Sequence, residues 1–104
     1  MKQFEIYLMD LNPTRGSEIN KKRPGVIVSP DAMNKHLKTV IIAPLTHSVR
    51  KYPSRVQSHF GHQAGEIALD ELRAVDQSRL VKKLGRVDAA TAAAIKSVLK
   101  TMFS

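Results

Sequence analysis

The residues of this chain best suited to chemistry are the cations of its first half. Nine of the seventeen Lys and Arg residues lie between positions 12 and 55, where only Glu18 and Asp31 oppose them, so this segment carries +7 of the formal net charge of +8. The cations are Arg15, Lys21, Lys22, Arg23, Lys35, Lys38, Arg50, Lys51 and Arg55. Such a segment predicts a polyanionic partner, with nucleic acid first and an acidic protein or anionic membrane surface second. A solvated basic face without any partner is the alternative.

Arg23 is the strongest single candidate in this segment. Its guanidinium presents a planar fork of N–H donors that matches a phosphate group, and it precedes Pro24 at the expected entrance of a strand. Among the four histidines only His47, in a basic loop, is placed to assist catalysis or contact nucleic acid. His59 and His62 form only a weak pair, and no histidine shows metal-ligand spacing with carboxylates, so we predict no bound metal.

The elements that must position these residues are mostly short strands. Alternating apolar and polar residues predict strands at 4–8 and 55–60, and apolar runs predict strands at 26–28 and 39–43. Further short strands are expected at 66–69, around Val75 and across 80–87. Pro44 is expected to end the third strand, and 61–65 to form a turn. Asp31 is expected to cap a single helical turn through Asn34. Two long basic loops, 12–24 and 46–54, form one cationic groove if they lie side by side.

The end of the chain has a different pattern. Asp88 is a predicted N-cap, and apolar residues then recur at helical spacing. These residues are Ala92, Ile95, Val98, Leu99 and Met102. The whole pattern predicts a single domain over 1–104, mainly β, with five to seven strands in a small curved β-barrel and one C-terminal helix that packs on it.

Composition excludes several classes of protein. There is no cysteine, which excludes disulfides, thiolate metal sites and a cysteine nucleophile. No run of about eighteen apolar residues indicates a membrane span, and the first residues lack the apolar stretch of a secretory signal. A cytoplasmic protein with no membrane contact is therefore expected.

Several stretches, in order along the chain, resemble the MazF/PemK family of toxins from type II toxin–antitoxin systems. They are Glu5–Glu18 (EIYLMDLNPTRGSE), Lys22–Ser29 (KRPGVIVS), Ala43–Thr46 (APLT), Tyr52–Pro53 and Asp70–Asp76 (DELRAVD). The resemblance covers nearly the whole chain. It implies the SH3-like curved barrel of the CcdB/PemK-like fold.

Some residues depart from the family pattern. Phe4 stands where the family commonly has glycine, and Gly25 stands where it has a β-branched residue. Ser17 and Ala68 stand where one branch of the family has His and Arg. These departures favour a mechanism centred on Arg23 and Thr46 rather than on that branch's Arg/Asp/His set.

The resemblance implies a sequence-specific, metal-independent endoribonuclease without a cofactor. It would cut single-stranded RNA to 2′,3′-cyclic phosphate and 5′-hydroxyl ends and so inhibit translation and growth. Arg23 matches a catalytic acid or base, and Thr46 matches a hydroxyl that bonds a non-bridging phosphate oxygen. Because guanidinium groups stay protonated, charge stabilisation is the role we favour for Arg23. The expected substrate-binding residues are Ser17, Glu18, Arg15, Lys21, Lys22, His47, Arg50, Lys51, Tyr52 and Arg55.

The resemblance also implies partners. They are a second copy of the chain, in a homodimer whose grooves are partly shared, and an antitoxin whose acidic flexible tail covers the cationic groove. Asp70, Arg73 and Asp76 are expected to form an ion-pair set with a structural rather than catalytic role. Two alternatives remain open, because a fold does not decide a function. One is a CcdB-like toxin that binds gyrase, and the other is a non-catalytic RNA-binding SH3-like module.

Overall fold

The computed structural model describes residues 1–11 and 22–104. Its strands are β1 (Glu5–Asp10), β2 (Lys22–Ile27), β3 (Thr39–Thr46), β4 (Arg55–Phe60), β5 (Gln63–Ala68), β6 (Arg73–Asp76) and β7 (Leu80–Arg86). Its helices are α1 (Asp31–His36) and α2 (Ala89–Met102). The strands form one antiparallel sheet in the order β4-β5-β3-β2-β1-β7, with β6 also paired to β3. The sheet curls into a half-barrel, and the expected β architecture with a C-terminal helix is confirmed.

Two apolar clusters lie on opposite faces of the sheet, because successive side chains of a strand alternate between faces. Val26 belongs to the larger cluster and its neighbour Ile27 to the smaller one. The larger cluster is Phe4, Ile6, Val26, Val28, Ala43, Leu45, Val56, Ile67, Leu69, Val87 and Ile95. The smaller cluster is Met9, Ile27, Val40, Ile42, Val75 and Leu80. The candidate active-site residues lie on the face of the smaller cluster.

Helix α2 covers the larger cluster. The Asp88 carboxylate accepts a hydrogen bond from the Thr91 N–H at 2.7 Å, so the predicted N-cap is confirmed. Ile95 is fully buried, and Ala92, Val98 and Leu99 pack against the same cluster. Met102, predicted to continue this apolar stripe, is 37% exposed, because the helix ends there beyond the edge of the core. No helix in the described part of the chain is long and apolar enough to cross a membrane.

Strand β3 runs through Pro44, so the prediction that this proline ends the strand was wrong. The Val28 N–H bonds to the Ile41 carbonyl, and the alternation of an antiparallel ladder then turns the nitrogen of Pro44 away from β2. On that outer edge, β6 pairs with β3 as far as Ile42, and the pairing of β5 with β3 begins at Leu45. The missing N–H of the proline therefore falls between two partners and costs no ladder hydrogen bond.

Other boundaries also differ from the predictions. Strand β2 begins at Lys22, inside the predicted loop 12–24, because this end of β2 pairs with β1. The predicted turn at 61–65 is shorter, since Gly61 and His62 both adopt positive φ, as a two-residue hairpin turn requires. Helix α1 extends to His36 without a side-chain cap. Asp31 instead accepts a hydrogen bond from the Gln3 N–H at 2.7 Å.

The structure shows how Phe4 is accommodated at a position where the family commonly has glycine. Its φ of 71° lies in the left-handed region, which favours glycine. The backbone is held there by a bond from its N–H to the Ile27 carbonyl and by one from the Val87 N–H to its own carbonyl. The ring is 94% buried in the larger cluster, with the Lys96 ammonium 5.5 Å from its centroid. Packing of the ring offsets the strain that a glycine would avoid.

Candidate active site

Strand pairing brings the two predicted catalytic residues together. The register of β2 and β3 sets Gly25 against Pro44 and Ile27 against Ile42. Continued by two residues beyond the last paired residues, to the end of β3, the same register sets Arg23 opposite Thr46. By the alternation described for Pro44, this position is a non-hydrogen-bonded pair, whose Cα atoms lie about 4.5 Å apart with both side chains on one face. Residues that are 23 positions apart in the chain therefore share one small surface.

The row of facing residues continues across the sheet. Arg23 lies opposite Met9 of β1, Thr46 opposite Glu66 of β5, and Glu66 opposite Gln57 of β4. Directly opposed residues in antiparallel strands point to the same face. This surface therefore runs from the smaller apolar cluster, through an exposed arginine and a partly exposed threonine, to a buried carboxylate.

The Thr46 hydroxyl already has one partner. Its oxygen accepts a hydrogen bond from the Ser48 N–H at 3.1 Å, the local bond expected of a threonine at a strand end. A hydroxyl has one proton to donate as well as lone pairs to accept with. The bond to Ser48 fixes the oxygen and leaves the proton to donate, which is what a phosphate oxygen requires.

The segment between β3 and β4, residues 47–54, presents four of the other predicted RNA contacts to solvent. His47, Arg50, Lys51 and Tyr52 are all exposed, and half of the Tyr52 surface is accessible. The His47 Nδ1 atom lies 3.3 Å from the Ala64 carbonyl, which ties the start of the segment to β5. Lys22 is exposed at the start of β2, beside Arg23. These cations lie at the same ends of β2 and β3 as the two predicted catalytic residues.

Glu66 organises this segment, although sequence reasoning did not select it. Its side chain is fully buried, and its two oxygens accept four hydrogen bonds. Oε1 accepts from the Arg50 N–H at 2.9 Å and from Arg55 at 3.3 Å, and Oε2 accepts from the Lys51 N–H at 2.8 Å and from Gln57 at 2.6 Å. Burial alone raises the pKa of Glu66, but these four donors outweigh it and lower the pKa to about 2.

Arg55 lies in a carboxylate cluster rather than at an exposed phosphate site. Its guanidinium bonds Asp70 at 2.7 Å and Glu66 at 3.3 Å, and it lies 3.5 Å from Glu71. Its side chain is only 8% exposed, and it stands 5.1 Å from the centre of the Tyr52 ring. The bond to Asp70 raises the pKa of Arg55 and, reciprocally, lowers the pKa of Asp70. We therefore replace the predicted phosphate contact of Arg55 with a structural role.

The expected ion-pair set of Asp70, Arg73 and Asp76 does not form as predicted. Asp70 pairs with Arg55 and accepts from the Ser54 hydroxyl at 2.9 Å. The Asp76 carboxylate accepts the Ser78 N–H at 2.9 Å and so caps the turn that follows β6. Arg73 is exposed. The register explains the difference, because β6 pairs with β3 beside Ile42, whereas Arg55 reaches Asp70 from β4.

Four predicted site residues, Arg15, Ser17, Glu18 and Lys21, lie outside the described residues, and their predicted roles stay predictions. Across 1–11 and 22–104, no three His, Asp or Glu side chains gather in a way that could hold a metal ion. The described residues brought together are Arg23, Thr46, Lys22, His47, Arg50, Lys51 and Tyr52.

Gly25 allows β2 to pack closely against the smaller apolar cluster. A Cβ at this position would lie 2.7 Å from the Met9 methyl carbon and 3.0 Å from Ile42, both of them buried. We expect Gly25→Val to lower the free energy of unfolding by about 1–3 kcal/mol, because the packed cluster must shift to admit the side chain. Urea denaturation measures the change. Ala64→Val, which adds bulk at an exposed position of β5, is the control and should be close to neutral, so equal losses in both variants would contradict the packing argument.

Glu66 should give the fold a defined acid sensitivity. Because its pKa in the folded protein is about 2, below the ordinary value of 4.5, its bonds stabilise the fold fully above 4.5. This stabilisation is lost as the pH falls through about 2. Urea denaturation from neutral pH to about pH 2 should show the stability gap between the wild-type protein and Glu66→Gln narrowing below pH 4.5. A gap that stays constant over this range would contradict the assignment.

Comparison with known proteins gives the same family from sequence and from structure. A family model described as "PemK-like, MazF-like toxin of type II toxin-antitoxin system" matches residues 2–103. The chain is 34% identical over 110 residues to endoribonuclease MazF9 of Mycobacterium tuberculosis, covering 96% of this chain and 93% of that protein. It is 34% identical over 92 residues to endoribonuclease MazF of Staphylococcus saprophyticus, covering 81% and 75%. A solved mycobacterial endoribonuclease in complex with its cognate antitoxin superposes with a TM-score of 0.84 at 26% identity, covering 99% of this chain and 94% of that one.

Proposed function

Because the chain belongs to the PemK/MazF family of type II toxin–antitoxin toxins and is an endoribonuclease of that family, we propose that it cuts single-stranded RNA without a metal ion. The observation that carries the proposal is the register of β2 and β3, which, continued by two residues beyond Gly25 and Pro44, sets Arg23 and Thr46 on one face, beside the exposed cations of segment 47–54. That face offers charge for a phosphate and a hydroxyl to bond it. The +7 charge of residues 12–55 supports RNA as the polyanion.

The proposed reaction is an internal phosphoryl transfer. The 2′-oxygen of the ribose forms a bond to the adjacent phosphorus, and the bond from phosphorus to the 5′-oxygen of the next nucleotide breaks. One proton leaves the 2′-hydroxyl and one is delivered to the leaving 5′-oxygen, so the products end in a 2′,3′-cyclic phosphate and a 5′-hydroxyl. Negative charge on the non-bridging oxygens grows in the transition state, and Arg23 and Thr46 would stabilise it there.

The remaining contacts select and hold the strand. Lys22, Arg50 and Lys51 would neutralise flanking phosphates, which supplies affinity without sequence preference. Tyr52 would stack on a base with its exposed half, and His47 would contact RNA next to Thr46. Sequence preference would then come from this segment together with Arg15, Ser17, Glu18 and Lys21. RNA cleavage of this kind in the cytoplasm would inhibit translation and growth.

We also propose two protein partners. One is a second copy of this chain, and the other is an antitoxin with a flexible acidic tail. The mycobacterial relative solved with its cognate antitoxin supports the second, and the positive charge of the groove suits such a tail. Sedimentation of the purified protein tests the dimer. An acidic peptide that binds together with RNA, without competing, would contradict the shared groove.

The experiment that tests the proposed function compares three polymers of one sequence: RNA, DNA and 2′-O-methyl RNA. We expect cleavage of the RNA alone, because the attacking group is the free 2′-hydroxyl. Cleavage of the 2′-O-methyl polymer would contradict this mechanism, and an intact RNA strand would contradict the function.

A further inference from the structure

Glu66 lies next to the candidate active site but has no role in the reaction proposed above. It lies directly opposite Thr46 in the register of β3 and β5, on the face that carries Arg23. Its side chain has no exposed surface, so it cannot touch RNA. The two strands are close here, since a Cβ on the neighbouring Gly65 would come within 2.7 Å of the Thr46 carbonyl oxygen. We therefore expect a change at Glu66 to displace the neighbouring Thr46.

Two of the four groups that Glu66 binds are consecutive backbone N–H groups of segment 47–54. The Arg50 N–H bonds one carboxylate oxygen and the Lys51 N–H bonds the other. Lys51 has a φ of 56°, in the left-handed region that non-glycine residues rarely adopt. Successive N–H groups in such a conformation form a concavity that binds an anion. The carboxylate is that anion, so it compensates for the strain at Lys51.

The charge of Glu66 is not needed to neutralise Arg55. Asp70 and Glu71 already face the same guanidinium, at 2.7 Å and 3.5 Å. A buried carboxylate is costly unless it is fully hydrogen-bonded, and two of the bonds that offset this cost come from the segment. The Arg50 and Lys51 side chains that these bonds orient are themselves exposed.

We propose that Glu66 is a positioning residue of the RNA site, which holds the backbone of Arg50 and Lys51 so that their side chains project beside Thr46 toward the phosphates of the substrate strand. This inference rests on the proposed function and adds a group that acts on substrate affinity from inside the fold. It assigns Glu66 a role in binding the RNA strand, whereas Arg23 and Thr46 act in the chemical step.

The direct test replaces Glu66 by glutamine. An amide keeps the shape, but its NH2 group cannot accept the N–H that it faces, so one of the two segment bonds is lost. We expect KM for RNA to rise about 10-fold with kcat within about 2-fold of wild type. The log–log salt slope of binding to 2′-O-methyl RNA should become shallower by about 0.7, because the cation whose backbone bond is lost no longer holds its phosphate and one such contact accounts for about 0.7 on a single strand.

Glu71→Gln is the matched control. It removes one carboxylate from the same arginine and leaves the segment's bonds in place, so KM and the salt slope should stay at their wild-type values. Amide hydrogen exchange adds a readout that does not depend on RNA. One of the Arg50 and Lys51 amides, the one that loses its bond, should exchange faster in Glu66→Gln, and both should exchange at the wild-type rate in Glu71→Gln.

A second pair of variants tests the same idea from the segment, in case Glu66→Gln folds poorly. Lys51→Gly removes the side-chain charge but keeps the N–H and accepts the positive φ. Lys51→Pro removes the same charge, the N–H and the ability to adopt that φ. We expect KM for Lys51→Pro to exceed that for Lys51→Gly about 5-fold. Equal KM values in this pair would overturn the positioning role.

The outcomes separate the two proposals. If the wild-type protein leaves RNA intact, the proposed function fails. If the wild-type protein cuts RNA and a folded Glu66→Gln keeps its KM and salt slope, only the positioning role fails. A fall in kcat at unchanged KM would also overturn it, because Glu66 would then act on the chemical step.

Discussion

Arg23→Ala is expected to lower kcat/KM for RNA cleavage by about 10²- to 10³-fold, with most of the loss in kcat. This is the usual cost of removing one charge-stabilising donor from a transition state. Arg23 is exposed at the end of β2, so the variant should fold with wild-type stability. Arg23→Lys keeps the charge but loses the planar fork, and it should recover only part of the activity. Single-turnover cleavage of one labelled RNA measures all three proteins.

Lys100→Ala is the charge-matched control for Arg23→Ala. Lys100 is exposed on α2, which covers the opposite face of the sheet, so its loss lowers the net charge equally without touching the site. We expect its kcat/KM to stay within about 2-fold of wild type at moderate salt. A similar loss in both variants would mean that Arg23 contributes only to the overall field of the protein.

Ile95→Ala is expected to lower the free energy of unfolding by about 2–5 kcal/mol. Ile95 is fully buried where α2 meets the larger cluster, and truncation leaves a cavity that the curled sheet cannot close. The free energy of unfolding of a domain of this size is about 5–15 kcal/mol in total, so the loss expected for Ile95→Ala is a large part of it. Urea denaturation followed by circular dichroism measures the change.

Ser97→Ala, on the exposed side of the same helix, is the control for Ile95→Ala and should change the stability by less than about 0.5 kcal/mol. Below its unfolding transition, Ile95→Ala should still cut RNA at near the wild-type rate, because the site lies on the other face of the sheet. A small loss of stability, equal to that of Ser97→Ala, would contradict the placement of α2 over the core.

The site residues that the sequence predicts are those with recognisable neighbours in the chain. Arg23 stands before Pro24, and Thr46 ends a short motif, so each is visible by itself. Their common surface is not visible, because it depends on the register between β2 and β3. Register is set by the apolar face that both strands bury and by the geometry of their connection, and neither is contained in the short motifs around Arg23 and Thr46.

Glu66 and Arg55 show the opposite case. Two of the four groups that Glu66 binds are backbone N–H groups, and every non-proline residue has one, so no sequence pattern marks them. Arg55 was counted among cations of a basic segment, but its carboxylate partners lie 11 to 16 residues further along the chain. A count of charges predicts that the binding partner is negatively charged. The role of each cation, however, depends on which carboxylates the fold places beside it.

Pro44 shows how a valid local rule fails. A proline usually ends a strand because it has no N–H to donate. In this sheet two neighbours of β3 succeed one another along one edge, and the proline stands at the change from one to the other. Only the topology of the sheet reveals that position, so the predicted strand was too short although its core residues were correct.

The proposed reaction can be tested by cleavage of a long unstructured RNA with the purified protein in excess EDTA, with the chemical ends of the products determined. We expect fragments with 2′,3′-cyclic phosphate and 5′-hydroxyl ends, formed at a rate that EDTA does not change. Fragments with 5′-phosphate ends, or cleavage that EDTA abolishes, would contradict this expectation, because the reaction would then not be the metal-independent attack of the 2′-hydroxyl at Arg23 and Thr46.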